Sequence, residues 1–229
     1  MKYFLVFFYL LFFYYLANAG EIHKAAEKGD IKKVSSFLKV GIDPDLVNEN
    51  GATPLNFAIH GGNLKIASLL IKHGAKVNNN EKLPPLIQAS ALGHLEFVSL
   101  LLKYGANVNT KIKGSNGTAL HSSVLSESKL EYQIKELRSK GMKVRSKEVT
   151  LLLLKNGANV NAKNKNGVTP LYFVLSAEIA TLLLKYGARA SVNVKTKEGD
   201  RNRTHFSLLL TMILRKKVFS RTIKYSYKT

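Results

Sequence analysis

A chain of 229 residues suits one elongated repeat stack or one to two globular domains, and 35 basic against 15 acidic residues give a formal charge of +20. The absence of cysteine excludes disulfides, thiol catalysis and cysteine-based zinc sites, so packing alone must hold the fold. Such a charge favours an acidic partner, nucleic acid or an anionic membrane, yet 28 of the basic residues are lysine, as A/T-rich coding would produce, and no RNP, helix-turn-helix or zinc pattern accompanies them.

Residues 3–17 are apolar or tyrosine, follow Lys2, and end at Ala17-Asn18-Ala19. A basic start, an apolar run and an A-x-A site are the layout of a secretory signal peptide. The run of 15 residues is short of the ~20 that cross a bilayer as a helix. The expectation is a leader over 1–19, cleaved before Gly20, with the mature chain periplasmic or secreted. The alternative is an uncleaved membrane anchor.

Residues 20–50 carry His23, Ala25, Ala26, Gly29 and a Val34/Phe37/Leu38 stripe behind a charged first helix, as an N-terminal cap would. In 51–80, Thr53 stands at an N-cap and Pro54 at the first helical position. Leu55, Ala58 and Ile59 then face one side of a short helix broken by Gly61-Gly62. Leu64, Ile66, Ala67, Leu69, Leu70 and Ile71 make a second helix, ended by Gly74 at C′. The third unit, 81–116, has Pro84 in place of Thr53. Gly74 to Pro84 is 10 residues against 12 for Gly41 to Thr53, so the connection before it should be two residues shorter.

The fourth unit, 117–166, spans 39 residues from Thr118 to Gly157 where Thr53 to Gly74 spans 21. The excess of 18 falls across about 126–147. There Ser128 and Glu131 form a capping box, and Leu130, Ile134 and Leu137 share a helical face, which predicts an extra short helix; the alternative is an irregular loop. In the fifth unit, 167–200, Thr169 to Gly187 is 18, so the turn between helices should have lost three residues. Residues 201–229 read as a decayed sixth unit or C-terminal cap, starting at Thr204-His205-Phe206-Ser207, with a basic tail.

The tails LLIKHGAKVN (69–78), LLLKYGANVN (100–109), LLLKNGANVN (152–161) and LLLKYGARAS (182–191) establish an internal repeat near 33 residues. No single unit can bury its apolar faces, so copies must stack. Together with TPLN at 53–56 and TPLY at 169–172, the tails resemble the ankyrin repeat. The matching residues are Thr53, Pro54, Leu55, Ala58, Gly62, Leu64, Ile66, Leu69, Leu70, Gly74, Ala75, Val77 and Asn78. The resemblance implies an all-α ankyrin-repeat solenoid of helix–turn–helix units with short extended fingers. It also makes His23, His121 and His205 structural, with His94 in a second scaffold slot and Ile87 in a position where the family has histidine.

No H-x-x-x-H or H-E-x-x-H pair exists and the carboxylates are scattered, so no catalytic residue, metal site or cofactor is expected. By resemblance the chain binds a protein, non-enzymatically and as a monomer, through its concave face and finger tips. The first-helix positions are Phe57, His60, Gln88, Leu92, Ser122, Tyr172 and Phe173; the finger tips are Asn48, Glu49, Asn79, Asn80, Lys111, Lys113, Asn164 and Lys165. Phe57, Tyr172 and Phe173 are the expected anchors, since aromatics dominate interface hot spots, with packing between adjacent helices as the competing role. A Lys- and Asn-rich ankyrin chain with such a leader resembles those of bacteria associated with eukaryotic hosts, which implies an effector with a host protein as partner; the positive charge of the chain favours an acidic one. A membrane-tethered scaffold, a basic nucleic-acid-binding protein and a decaying gene are the alternatives.

Overall fold

The computed structural model describes residues 20–78, 82–125 and 145–189. The expected leader, the expected helix of the 126–147 insertion, the sixth unit and the finger-tip residues Asn79 and Asn80 lie outside these. Four units are pairs of antiparallel helices: α1 (Glu21–Lys28) with α2 (Ile31–Lys39), α3 (Pro54–His60) with α4 (Leu64–Lys72), α5 (Pro85–Ala91) with α6 (Leu95–Lys103), and α7 (Ala119–Leu125) with α8 (Ser146–Lys155). In the fifth, a 3-10 turn (Pro170–Phe173) pairs with α9 (Ala177–Lys185). First helices pack on first helices and second on second, so the chain builds an inner and an outer row. The architecture is an all-α repeat solenoid, and among the described residues the strand content is one isolated bridge, Lys111 to Thr118.

Each unit is punctuated by the same local chemistry. Thr53 caps α3 by accepting from the Asn56 amide while Asn56 Oδ1 accepts from the Thr53 amide, a reciprocal capping box. At the other end of every outer helix a glycine takes positive φ: Gly41, Gly74, Gly105, Gly157 and Gly187. In the second unit Gly74 N–H donates to the Ile71 carbonyl and Ala75 N–H to that of Leu70, both at 3.0 Å. This is a Schellman closure, and Gly41–Ile42, Gly105–Ala106, Gly157–Ala158 and Gly187–Ala188 repeat it. Lys39, Lys72, Lys103, Lys155 and Lys185 stand in the last turns, where a cation complements the carbonyl end of the helix.

Two series of polar side chains join one unit to the next. On the inner row, the slot after T-P-L donates to the carbonyl just before the next unit's N-cap. His23 Nε2 lies 3.1 Å from Ala52 O, Asn56 Nδ2 donates to Leu83 O at 3.1 Å, and His121 Nε2 lies 3.0 Å from Val168 O. Carbonyls only accept, so His121 carries its proton on Nε2 and its Nδ1 accepts from the Thr118 hydroxyl at 2.9 Å. Ile87 fills the same slot by burial alone, at 1% exposure. On the outer row, the asparagine of each V-N tail reaches the next unit's Schellman loop. Asn78 donates to Gly105 O and accepts from Asn107 N; Asn109 does so with Gly157 and Asn159. Asn161 repeats the pattern with Gly187 and Arg189.

The core runs between the rows as one cluster containing Ile22, Leu55, Ile59, Leu70, Leu86, Leu101, Leu120, Leu153, Leu171 and Ile179, all essentially inaccessible. The fifth unit differs from expectation. Its three missing residues are all taken from the first helix, which shrinks from seven residues to a 3-10 turn of four, while the connection to the second helix keeps the three residues it has in the second and third units. Val174 then runs extended, and Ser176 starts α9 by accepting from the Ile179 amide. Ser146 and Lys147, expected within the insertion, belong to the first turn of α8. Ser146 is buried there and its carbonyl accepts the Thr150 hydroxyl at 2.7 Å.

Candidate partner-binding face

The inner row presents one repeated position, the residue following the T-P-L-x slot. It holds Phe57, Gln88, Ser122 and Phe173, all half-buried. Helical geometry places this residue beside the preceding unit's slot. Phe57 sits edge-on to the His23 ring at 5.2 Å and Phe173 edge-on to that of His121 at 6.2 Å. Both aromatics thus pack on the neighbouring unit, the role that competed with partner contact, and both keep part of their surface accessible.

Between the first finger, α3 and α5 lies an open cleft of about 160 Å³ with a mostly apolar lining. Phe57, His60, Leu83 and Gln88 line it together with Asn50 and Lys82. Three of the residues expected from the sequence, Phe57, His60 and Gln88, are thus brought together. Leu83, 41% exposed, and Lys82 were missed. Their signal was available as an unusual leucine before Pro84. His60 Nε2 lies 3.7 Å from Glu27 Oε1, which ties the cleft to the first unit.

Other expected contacts sit differently. Leu92, expected on the surface, is 7% exposed: as C-cap of α5 it turns into the core instead of continuing the exposed stripe. Tyr172, expected as an anchor, is 9% exposed: it stands in the T-P-L-x slot that Asn56, Ile87 and His121 fill in other units, all of them buried, and it packs edge-on to Phe173. Gln88 is engaged on both sides of its amide, donating to Asn56 O at 3.0 Å and accepting from Asn56 Nδ2 at 2.8 Å. Asn48 and Asn164 build the fingers: each amide oxygen accepts from the backbone two and four residues on. Glu49, Lys111, Lys113 and Lys165 are exposed at the tips as expected, and Ser122 is half-buried.

Two buried histidines set the electrostatics of the interior. His94 is 4% exposed, and neither ring nitrogen is in hydrogen-bond geometry. Burial holds its pKa below 6.5 although the nearby Ile59 carbonyl favours the charged ring. His121 is lowered for the same reason against the pull of Val168. Both are thus neutral in the folded chain, whereas the unfolded chain protonates them near pH 6.5. Stability is full above that pH and falls below it, as the unfolded state takes up the protons. Asn63 holds the position equivalent to His94 and donates to the Ala26 and Glu27 carbonyls. The expected result is a urea midpoint that drops between pH 7.5 and 5.5, and drops less in His94→Asn. An identical slope in the variant would remove His94 from this account.

Among the described residues no group of His, Asp and Glu could hold a metal ion, and no helix is long and apolar enough to cross a membrane. Residues 22–112 match the family model for ankyrin repeats in three copies. The chain is 28% identical to an ankyrin repeat protein of fowlpox virus (FPV222) over 152 residues, 66% of this chain and 18% of that one. It is 27% identical to the phosphocholine transferase AnkX of Legionella pneumophila over 178 residues, 76% of this chain and 14% of the relative. The cyclin-dependent kinase 4 inhibitor B of Rattus norvegicus is 36% identical over 62 residues, 27% of this chain and 46% of the inhibitor. The matched stretches are thus less than half the length of each of these relatives.

Proposed function

For an all-α ankyrin-repeat solenoid of this build, we propose that the chain is an exported, non-enzymatic module that binds a partner protein on its inner face. The observation that carries this reading is the cleft at Phe57, Leu83 and Gln88, continuous with a column of accessible side chains running to Phe173. Apolar concavities with polar rims are where partner side chains bury most effectively. Export rests on the leader over 1–19, and a host protein as target rests on the resemblance to chains of host-associated bacteria. The transferase activity named for the Legionella relative is not carried over, because this chain matches 14% of it.

The test is site-specific photocrosslinking in the native cell and in host lysate. A probe at His60 or Ser122 should capture a defined protein, while one at Lys72 on the outer row should not. Leu83→Ser combined with Lys82→Glu alters only accessible side chains and should weaken that capture about 10- to 100-fold without moving the melting transition. Capture from Lys72 alone, or nucleic acid as the only co-purifying species, would sink the inner-face reading. For export, the mature N-terminus should begin at Gly20 in a soluble extracytoplasmic fraction; an intact Met1 in the membrane fraction would make the chain a tethered scaffold.

A further inference from the structure

The fingers differ in charge from one end of the row to the other. The first finger carries Asp43, Asp45 and Glu49, with no basic residue between Gly41 and Ala52. Asp45 is partly neutralised by Lys76, whose amide and ammonium both reach its carboxylate; Asp43 and Glu49 are exposed. The third and fourth fingers carry Lys111, Lys113, Lys163 and Lys165, and stretches 97–126 and 149–177 contain no Asp or Glu at all. The four lysines are exposed, and none pairs with a carboxylate among the described residues.

These two fingers are joined into one platform. The Lys165 amide donates to the Ser115 carbonyl at 2.8 Å, tying one tip to the other. Within the third finger Ile112 N–H donates to Gly117 O at 2.8 Å and Asn116 N–H to Ile112 O at 2.9 Å; Asn116 there takes a positive φ. In the fourth, Asn164 closes the tip through its backbone and its side chain. The backbone order is therefore already in place before a ligand arrives, which lowers the cost of binding.

We propose that the third and fourth fingers are a platform for an acidic segment of the partner protein, and that the acidic first finger fixes the direction in which that segment lies. This rests on the reading of the chain as a protein-binding module and names the chemistry of its partner. A segment with its carboxylates gathered at one end meets ammonium groups when that end lies over the third and fourth fingers and like charge when it lies at the first, so only one polarity along the row is favourable. The platform offers neither the arginines nor the stacked aromatics that nucleic acids use.

The test uses the full chain and two labelled probes, a 20-residue poly-glutamate and a dT20 oligonucleotide, read by fluorescence anisotropy at low salt. Two variants remove equal charge: Lys111/113/163/165→Gln on the platform, and Lys39/72/103/155→Gln on the outer row. Poly-glutamate should bind about tenfold more weakly to the platform variant and within about twofold of wild type to the outer-row variant. Lys→Arg at the four platform positions should retain binding, and dT20 should not distinguish the platform variant from the outer-row one. Equal weakening by both variants would reduce the effect to net charge, and loss of dT20 binding in step with the platform would assign it to nucleic acid. Either outcome overturns the acidic-segment platform and leaves the inner-face reading to its own crosslinking test.

Discussion

Gly61→Ala should detach the first unit from the stack. A Cβ at Gly61 would lie 2.1 Å from the Glu27 carbonyl oxygen and 2.7 Å from Asn63 Nδ2. The backbone there is ordinary, at φ −75°, so no conformational strain is involved; what is lacking is room against the end of α1. Backbone cannot yield as a flexible side chain would, and separating the units also removes both Asn63 hydrogen bonds to Ala26 and Glu27. The cost should be about 3 kcal/mol or more, at the upper end of what overpacking produces. Because contacts in a repeat stack are with nearest neighbours, the loss should be local: amides of α1 and α2 should exchange rapidly while α6 stays protected. A urea midpoint unchanged within error would show that the junction can open without loss.

Leu101→Ala should split the stack at its centre. Leu101 in α6 is wholly buried, and its carbonyl accepts the Ala106 amide that closes the helix. Truncation leaves a cavity bordered by α4 on one side and α8 on the other, and such changes cost about 2–5 kcal/mol. In a linear stack a weak middle unit uncouples two halves, so unfolding should change from one transition to two. Brief proteolysis should then cut in the finger at 110–118. A single cooperative transition, shifted but unsplit, would mean that coupling runs through more than adjacent units.

Most of the architecture was legible because glycine and proline act locally. Gly74 and its copies mark positions where only a left-handed residue closes the helix, and Pro54 and Thr53 mark where one starts. What was not legible depends on lengths and rotations that composition does not carry. A deficit of three residues in the fifth unit could come from a turn or a helix. The first helix absorbs it since four 3-10 residues cover about 8 Å, close to the ~10 Å of seven α-helical ones. Leu92 and Tyr172 were placed outward, yet Leu92 turns in at the cap of α5 and Tyr172 occupies the slot that is buried in every unit. Asn48 and Asn164 were readable as N-x-x-G turns, a pattern with a mechanism of its own, yet their polarity suggested recognition instead.

The outer asparagines also bear on how such a chain changes its length. Asn78 and Asn109 grip identical chemistry, a glycine carbonyl and the amide two residues beyond it, and neither reads the side chains of the unit that offers them. Excising 79–109 would remove one finger and one helix pair and leave Asn78 facing Gly157 and Asn159, the same acceptor and donor it had before. The joint is a standard fitting, so a whole unit can be lost or duplicated by recombination with every remaining joint still closed. Copy number can then drift faster than the surfaces the units display.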